Sequence, residues 1–406
     1  MQSKVTPMPS DVKQPLPALG GKPWLVPRAA YVHIPFCLHH CHYCDFAVVA
    51  GRDEWADRYL DALEAEIRTS LRSTLHTPLA TLFIGGGTPT QLTAAQLDRL
   101  FTFLRKMLPL TANAEVGIEA NPDGLTDYQI TVLLDHGVTR ISLGVQSFQP
   151  DLLQFLERRH TPGEAIAVVG SLVQHCDVSV DLIFGVPGQT FTHWRDDLKQ
   201  AIGLGVNHLS TYGLTYEKGT RLWKSRERGL VLPLVEDLEA DMYGEAIDRL
   251  AAGGFEHYEI SNFARPGHRC RHNEIYWANH AYLGFGLGAA RYVNGIRSVN
   301  TRSLETYVEK CTAGKDPTQS REELSPEDRA RETAMLNLRR CEGIVRRVFQ
   351  EQTGFGIDSL SRAAIERNQA RGWLADDGAR ISLTRAGKFV ADTVMGDILI
   401  CVCPTA

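Results

Sequence analysis

Cys37-Leu38-His39-His40-Cys41-His42-Tyr43-Cys44 carries three thiols in eight residues, with three residues between the first two and two between the last two. Thiols this closely spaced read as metal ligands. A tetrahedral zinc site needs a fourth ligand. The next positions are Asp45 and Phe46, so His39, His40 or His42 would have to complete a zinc knuckle. A cubane iron–sulfur cluster instead has four corners, and cysteine thiolates are its usual ligands. Three cysteines leave one iron open to a small molecule. Position favours the cluster: the run follows Tyr31-Val32-His33-Ile34, a strand-like segment that begins an alternating β/α chain.

Outward from that run, short apolar segments recur at 29–34, 80–84, 115–120, 140–145, 178–184 and 207–214, with helical patterns between them. Trp55, Tyr59, Leu63 and Ile67 recur every four residues, as an inward helix face requires. Thr93 with Gln96 and Thr126 with Gln129 are capping-box pairs, and Gly137 is placed to end the second helix. Leu97, Leu100, Phe101 and Leu104 continue the apolar stripe of the first. Alternation of this kind predicts a parallel sheet covered by helices. Six units predict an open, partial barrel, with function at the carboxyl ends of the strands. The six loops there are Gly-rich or polar: the cysteine run, Gly85-Gly86-Gly87-Thr88, Glu119-Ala120-Asn121, Gly144-Val145-Gln146, Gly185–Thr190 and Tyr212–Glu217. A glycine triplet admits close approach of a ligand to the backbone, although tight strand-to-helix turns produce the same pattern.

The cysteine run with its flanks, Tyr31–Cys37 through Tyr43-Cys44-Asp45-Phe46, resembles the signature of the radical S-adenosylmethionine (radical-SAM) proteins. More narrowly it resembles the oxygen-independent coproporphyrinogen III oxidase (HemN-like) family, including its heme-chaperone branch. The resemblance covers nearly the whole chain from about residue 29. It implies a partial (β/α)6 radical-SAM barrel and a [4Fe–4S] cluster on Cys37, Cys41 and Cys44. It also implies S-adenosyl-L-methionine (SAM) contacts at Tyr31, Tyr43, Gly86, Gly87, Thr88, Glu119, Gln146, Arg158 and Asp181. Carboxylates suit ribose hydroxyls or an ammonium, and Arg158 suits a carboxylate; the blander reading of Arg158 is a helix-surface ion pair.

His272-Asn273-Glu274-Ile275-Tyr276-Trp277 is a second constellation. An imidazole beside Tyr and Trp is, on base rates, a hydrogen-bonded core histidine. It is also what an axial heme ligand and its apolar pocket require. The run resembles one associated with heme in the chaperone branch, with His272, Asn273, Tyr276 and Trp277 as heme residues; Cys270 is a weaker thiolate candidate. In the oxidases a fourth cysteine stands two residues after the third; here that place is Phe46, as in the chaperones. The implied function is a heme chaperone passing heme to an acceptor protein. The other reading is an oxidase that decarboxylates coproporphyrinogen III to protoporphyrinogen IX. The implied partners are heme, an acceptor, a flavodoxin- or ferredoxin-type electron donor and peripheral contacts with membrane proteins, with no nucleic acid.

Composition sets the bounds. The 406 residues, 43% hydrophobic and 22% charged, describe a globular chain long enough for two domains. A net charge of −5 gives no general attraction to nucleic acid or anionic membranes. No apolar run approaches the ~20 residues of a membrane span. Residues 1–28 hold six prolines and no apolar core, and read as a flexible tail rather than a secretory signal. The domains expected after it are the barrel at 29–265, a connecting segment at 266–300, and a smaller, mostly helical HemN-type domain at 301–406. In the last, helices at 327–338 and 358–369, a hairpin around Asp376-Asp377-Gly378 and a helix from Thr384 resemble a winged helix. Equal numbers of basic and acidic residues over 321–406 speak against a DNA-binding role for it. Nine is an odd number of cysteines, and the six outside the run, including Cys401 and Cys403, are scattered; they give no disulfide framework and fit a reducing cytoplasm.

Overall fold

The computed structural model describes residues 22–71 and 77–400. The tail up to residue 21 and the Cys401–Cys403 pair lie outside the described residues.

Each apolar segment of the sequence becomes a strand. In chain order these are β1 (Ala29–Ile34), the two-residue pair β2 (Phe36–Cys37) and β3 (Val49–Ala50), β4 (Leu79–Gly86), β5 (Leu110–Ala120), β6 (Arg140–Gln146), β7 (Asp177–Phe184) and β8 (His208–Gly213). Strands β1, β4, β5, β6, β7 and β8 are neighbours in that order and all parallel, giving the six-unit partial barrel. Helices between them bury their apolar stripes: Tyr59, Leu63 and Ile67 on Ala56–Ser70, and Leu97, Leu100, Phe101 and Leu104 on Ala94–Met107, join one core cluster with the strands. Both capping boxes form, at Thr93/Gln96 and Thr126/Gln129, and Thr161/Glu164 and Thr190/His193 add two more. Gly137 ends its helix at φ 67°, in the left-handed region a glycine adopts without strain.

The sheet runs beyond the β/α rhythm. On one side β8 is followed by antiparallel β10 (Asn262–Ala264) and β9 (Glu256–Glu259). On the other, β11 (Tyr282–Phe285) lies parallel to β1, and β12 (Ala290–Val293), β13 (Ile296–Asn300) and β14 (Thr318–Glu323) continue antiparallel, making twelve strands. Residues 266–300, expected as a connector, therefore supply three strands, and the sheet ends at Glu323. The second apolar cluster is built from residues 330–398. The sequence reading missed this because β11–β13 are only four or five residues long, and their burial follows no period of two common to all three.

In that second unit, helices Pro326–Arg339, Arg346–Thr353 and Ile357–Ala370 pack with a small antiparallel sheet of β15 (Ile344–Val345), which lies between the first two helices, β17 (Arg380–Leu383) and β16 (Leu374–Asp376). Thr384 caps the helix that follows. The flexible-tail expectation fails over residues 22–28. Trp24 is buried beneath the Arg329 guanidinium, and Pro23 and Trp24 carbonyls accept from Ala281 and Asn294.

Candidate cofactor site at the carboxyl ends of the strands

The cysteine run leaves β1 through β2, whose parallel pairing with β3 closes it into a compact excursion. Arg221 and Leu222, the first residues of helix Arg221–Glu227, hold it: Leu222 N–H donates to His42 O at 2.8 Å and Arg221 to His40 O at 2.6 Å. Cys37, Cys41 and Cys44 line one wall of a cavity of about 410 Å³. Burial holds all three thiols above their ordinary pKa, Cys44 up to about 11. A bound cation would therefore have to supply the charge that deprotonates them. Among the described residues no three His, Cys, Asp or Glu side chains converge on a single ion. Of the histidines of the zinc-knuckle reading, His40 Nε2 bonds Cys44 O at 2.9 Å, His39 Nε2 bonds Glu157 O at 2.6 Å and lies 3.5 Å from Cys41 Sγ, and His42 Nδ1 is 3.9 Å from the Glu157 carboxylate. Ligands of a cubane sit on different irons and need not converge, so the three thiols fit a cluster.

The opposite walls come from alternate residues of the barrel strands. Tyr43, Gly86, Gly87, Thr88, Glu119, Gln146, Arg158 and Asp181 all line the cavity. Tyr31 is not among the lining residues; its hydroxyl is 3.1 Å from His33 Nδ1 and its ring stacks on Phe83. Glu119 accepts the Gly86 N–H at 2.9 Å, and burial pushes its carboxyl up to about 7. Asp181 accepts from Ser142 and is pushed up to about 6, again by burial. Two desolvated carboxyls facing one space are suited to a cationic or hydroxyl-rich ligand. Gln146 reaches the cavity at φ 68°. The loop behind it is tied down by Asp197, which accepts from Ser147 Oγ at 2.6 Å and Phe148 N at 2.8 Å.

Arg158 is no surface ion pair. Glu157, at φ 54°, turns the chain after helix Pro150–Phe155, and Arg158 Nη2 donates to Asn121 Oδ1 at 2.6 Å and Gly144 O at 2.8 Å. The glycines are also required by packing. A Cβ at Gly87 would stand 2.5 Å from Pro35 O, at Gly86 (φ 125°) 2.7 Å from His33, and at Gly85 2.8 Å from Glu119. Their bareness lets β4 and its loop press against Glu119 and the His33–Phe36 segment that leads into the cysteine run, a requirement of packing before any ligand arrives. Asn121, Ser142 and Tyr212 were missed. Tyr212 is 43% exposed, and that exposure is to the cavity it lines; surrounding atoms still push its hydroxyl pKa up. The signal was the period-2 register of each strand, unusable until one inward residue is known.

The second constellation lies at the other end of the barrel. Helix Arg271–Trp277 covers the amino ends of the strands, its first turn held by Glu115, which accepts from Arg271 and His272 N–H groups and from Arg140. His272 is 1% exposed. Its Nδ1 is 2.8 Å from Thr81 Oγ1 and its Nε2 2.9 Å from Tyr276 OH, and it stacks on Phe83 at 5.2 Å. Both ring nitrogens are committed, so in this conformation the imidazole offers iron no lone pair. Trp277 lies under the Arg339 guanidinium, at the seam with the second unit, and Asn273 is half-buried.

Comparison with known proteins agrees with this architecture. The Radical SAM superfamily model matches residues 31–201 and the HemN C-terminal domain model residues 324–390. Heme chaperone HemW of Bacillus subtilis is 35% identical over 92% of this chain and 99% of its own length. Heme chaperone HemW of Escherichia coli is 33% identical over 91% and 98%. A zebrafish (Danio rerio) mitochondrial radical S-adenosyl methionine domain-containing protein 1 is 31% identical over 92% and 87%. The solved coproporphyrinogen III oxidase (HemN) of Escherichia coli superposes with a TM-score of 0.82 over 93% of this chain and 91% of its own, at 23% identity, which establishes a shared fold. The chain belongs to the HemW-like family of radical-SAM proteins.

Proposed function

We propose that this protein is a heme chaperone that holds a [4Fe–4S] cluster on Cys37, Cys41 and Cys44, binds SAM in the cavity beside it, and passes heme to an acceptor protein. The observation that carries the reading is end-to-end similarity to proteins named heme chaperones. Phe46, 61% exposed at the cavity, in the place of the oxidases' fourth cysteine, supports it. Family membership implies the cluster and SAM system. When bound, the cluster supplies an electron and an open iron site.

The chain's own residues do the rest. Arg158 presents a fixed guanidinium to a carboxylate, while Glu119 and Asp181 face cationic or hydroxyl groups. Tyr43, Tyr212 and Leu214 give the cavity apolar surface. His272, Asn273, Tyr276 and Trp277 enter the proposal on one condition: His272 reaches iron only if helix Arg271–Trp277 unseats from Thr81. Among the described residues no helix is long and apolar enough to cross a membrane. A reducing cytoplasm suits the free thiols, and a flavodoxin- or ferredoxin-type protein is the electron donor proposed.

The test is anaerobic reconstitution followed by heme titration, and in parallel incubation with coproporphyrinogen III, SAM and a reductant. Saturable heme binding without protoporphyrinogen IX is expected. Robust decarboxylation would restore the oxidase.

A further inference from the structure

One set of polar contacts beside the cysteine run forms a continuous line, separate from the His39 Nε2 that stands 3.5 Å from Cys41 Sγ. Arg158 Nη2 donates to Asn121 Oδ1 at 2.6 Å, Asn121 Nδ2 donates to Thr88 Oγ1 at 3.0 Å, and Thr88 Oγ1 stands 3.4 Å from Cys37 Sγ. Arg158 Nη1 is 4.0 Å from Cys41 Sγ. One guanidinium thus reaches two of the three thiols, one directly and one through two side chains.

The line has a direction, and Arg158 sets it. A guanidinium can only donate, so the oxygen of the Asn121 amide must face it and the amide nitrogen must face Thr88. Thr88 Oγ1 then accepts, and its hydroxyl hydrogen is left for Cys37 Sγ. Once the thiol is deprotonated by a metal, the hydroxyl is the only possible donor in that pair. Space for this is cleared at Gly144, where a Cβ would stand 2.9 Å from Gln146 Nε2, 3.2 Å from Asn121 Oδ1 and 3.4 Å from Arg158 Nη2. The Gly144 carbonyl itself accepts from Arg158, so the guanidinium cannot swing away without losing two bonds.

We propose that Asn121 is a positioning residue that fixes a one-way chain of donors from Arg158 through Thr88 to Cys37, and that this chain raises the reduction potential of the cluster. The inference rests on the cluster assignment above. Reduction adds negative charge to the cluster and its thiolate sulfurs. Hydrogen bonds to those sulfurs and a nearby positive charge stabilise the reduced form more than the oxidised one. Thr88 acts here through its side chain, a role separate from its backbone position after the glycine triplet.

The test is a spectroelectrochemical titration of the reconstituted full-length protein without SAM, with iron and sulfide analysis of every sample. Thr88→Val removes the hydroxyl at nearly constant volume and unchanged charge. Asn121→Asp keeps the shape and the Arg158 contact but turns the Thr88 hydrogen away from Cys37. Each should lower the reduced-to-oxidised ratio at fixed poise about tenfold, which is ~59 mV for a one-electron couple. Thr88→Ser should restore the parent potential. In a Thr88→Val background, Asn121→Asp should move the potential less than it does alone. Unmoved potentials at parental cluster content would overturn the relay, as would equal shifts from Asn121→Asp in both backgrounds, which mark a bare charge effect. Should one variant not hold the cluster, the other decides by the same criterion. Failure of the cluster assignment is separately visible, as iron and sulfide retained by a protein with all three cysteines replaced by alanine.

Discussion

Replacing His272 with alanine should destabilise the protein before any heme is added. The imidazole bridges Thr81 Oγ1 and Tyr276 OH at 2.8 and 2.9 Å, stacks on Phe83 and is 1% exposed. Its removal leaves two enclosed hydroxyls without their partner, at about 1–3 kcal/mol each. Lost ring contacts add ~0.5–1.5 kcal/mol. The expected cost is about 2.5–7.5 kcal/mol, whose upper part is the range reserved for a broken buried network. The assay is urea denaturation of heme-free protein, read as a shift in midpoint because two units need not unfold together.

pH gives an independent reading of the same group. Burial holds His272 down to about 4, against 6.5 for an unperturbed histidine. Unfolding therefore takes up a proton at this site between about pH 6.5 and 4. The contribution is complete above pH 6.5 and lost as the pH falls toward 4. His272→Ala should accordingly have a shallower acid slope in that window, by up to one proton. A variant with parental midpoint and slope, yet without heme affinity, would refute the keystone argument and make His272 an accessible ligand.

Gly87→Ala should lower thermal stability, with overpacking of about 1–3 kcal/mol, because its Cβ would stand 2.5 Å from Pro35 O; an unchanged melting temperature would contradict the close packing. Asp197→Ala should loosen the loop holding Gln146 and open it to limited proteolysis near 147–149, since that carboxylate accepts from Ser147, Phe148 and Gln149; parental protease resistance would count against it. Glu66 is pushed from 4.5 to about 7 by burial, so its contribution to stability is present at low pH and lost as pH rises through 7. Glu66→Gln should flatten that decline, as followed by denaturation midpoints across pH 4.5–8, and an identical profile would remove Glu66 as its source.

What the sequence determined by itself was whatever a short stretch encodes. Three thiols in eight residues, six apolar segments, the capping pairs at Thr93 and Thr126 and the glycine triplet are local patterns, and each sits where expected. The partial barrel followed from their alternation, because a buried parallel strand must be apolar throughout and a covering helix must be apolar on one stripe. Resemblance to a known family brought Glu119, Gln146, Arg158 and Asp181 to the same site, and their placement on the cavity wall depends on strand register that sequence alone leaves open.

Tertiary structure decided what each polar group faces. His272 could have been a ligand or a core residue on the same six-letter motif, and the choice lies with Thr81, 191 residues away. Asn121 looked like a loop residue until Arg158 and Thr88 were brought to its two ends. The strands at 282–300 carry too little apolar alternation to declare themselves; β11 adds to the edge of β1, and β12 and β13 add to it in turn. Spacing along a chain reports which side chains share a face. It cannot report the partner across the fold that takes up each donor, acceptor and charge, because those contacts form only when segments distant in sequence pack together.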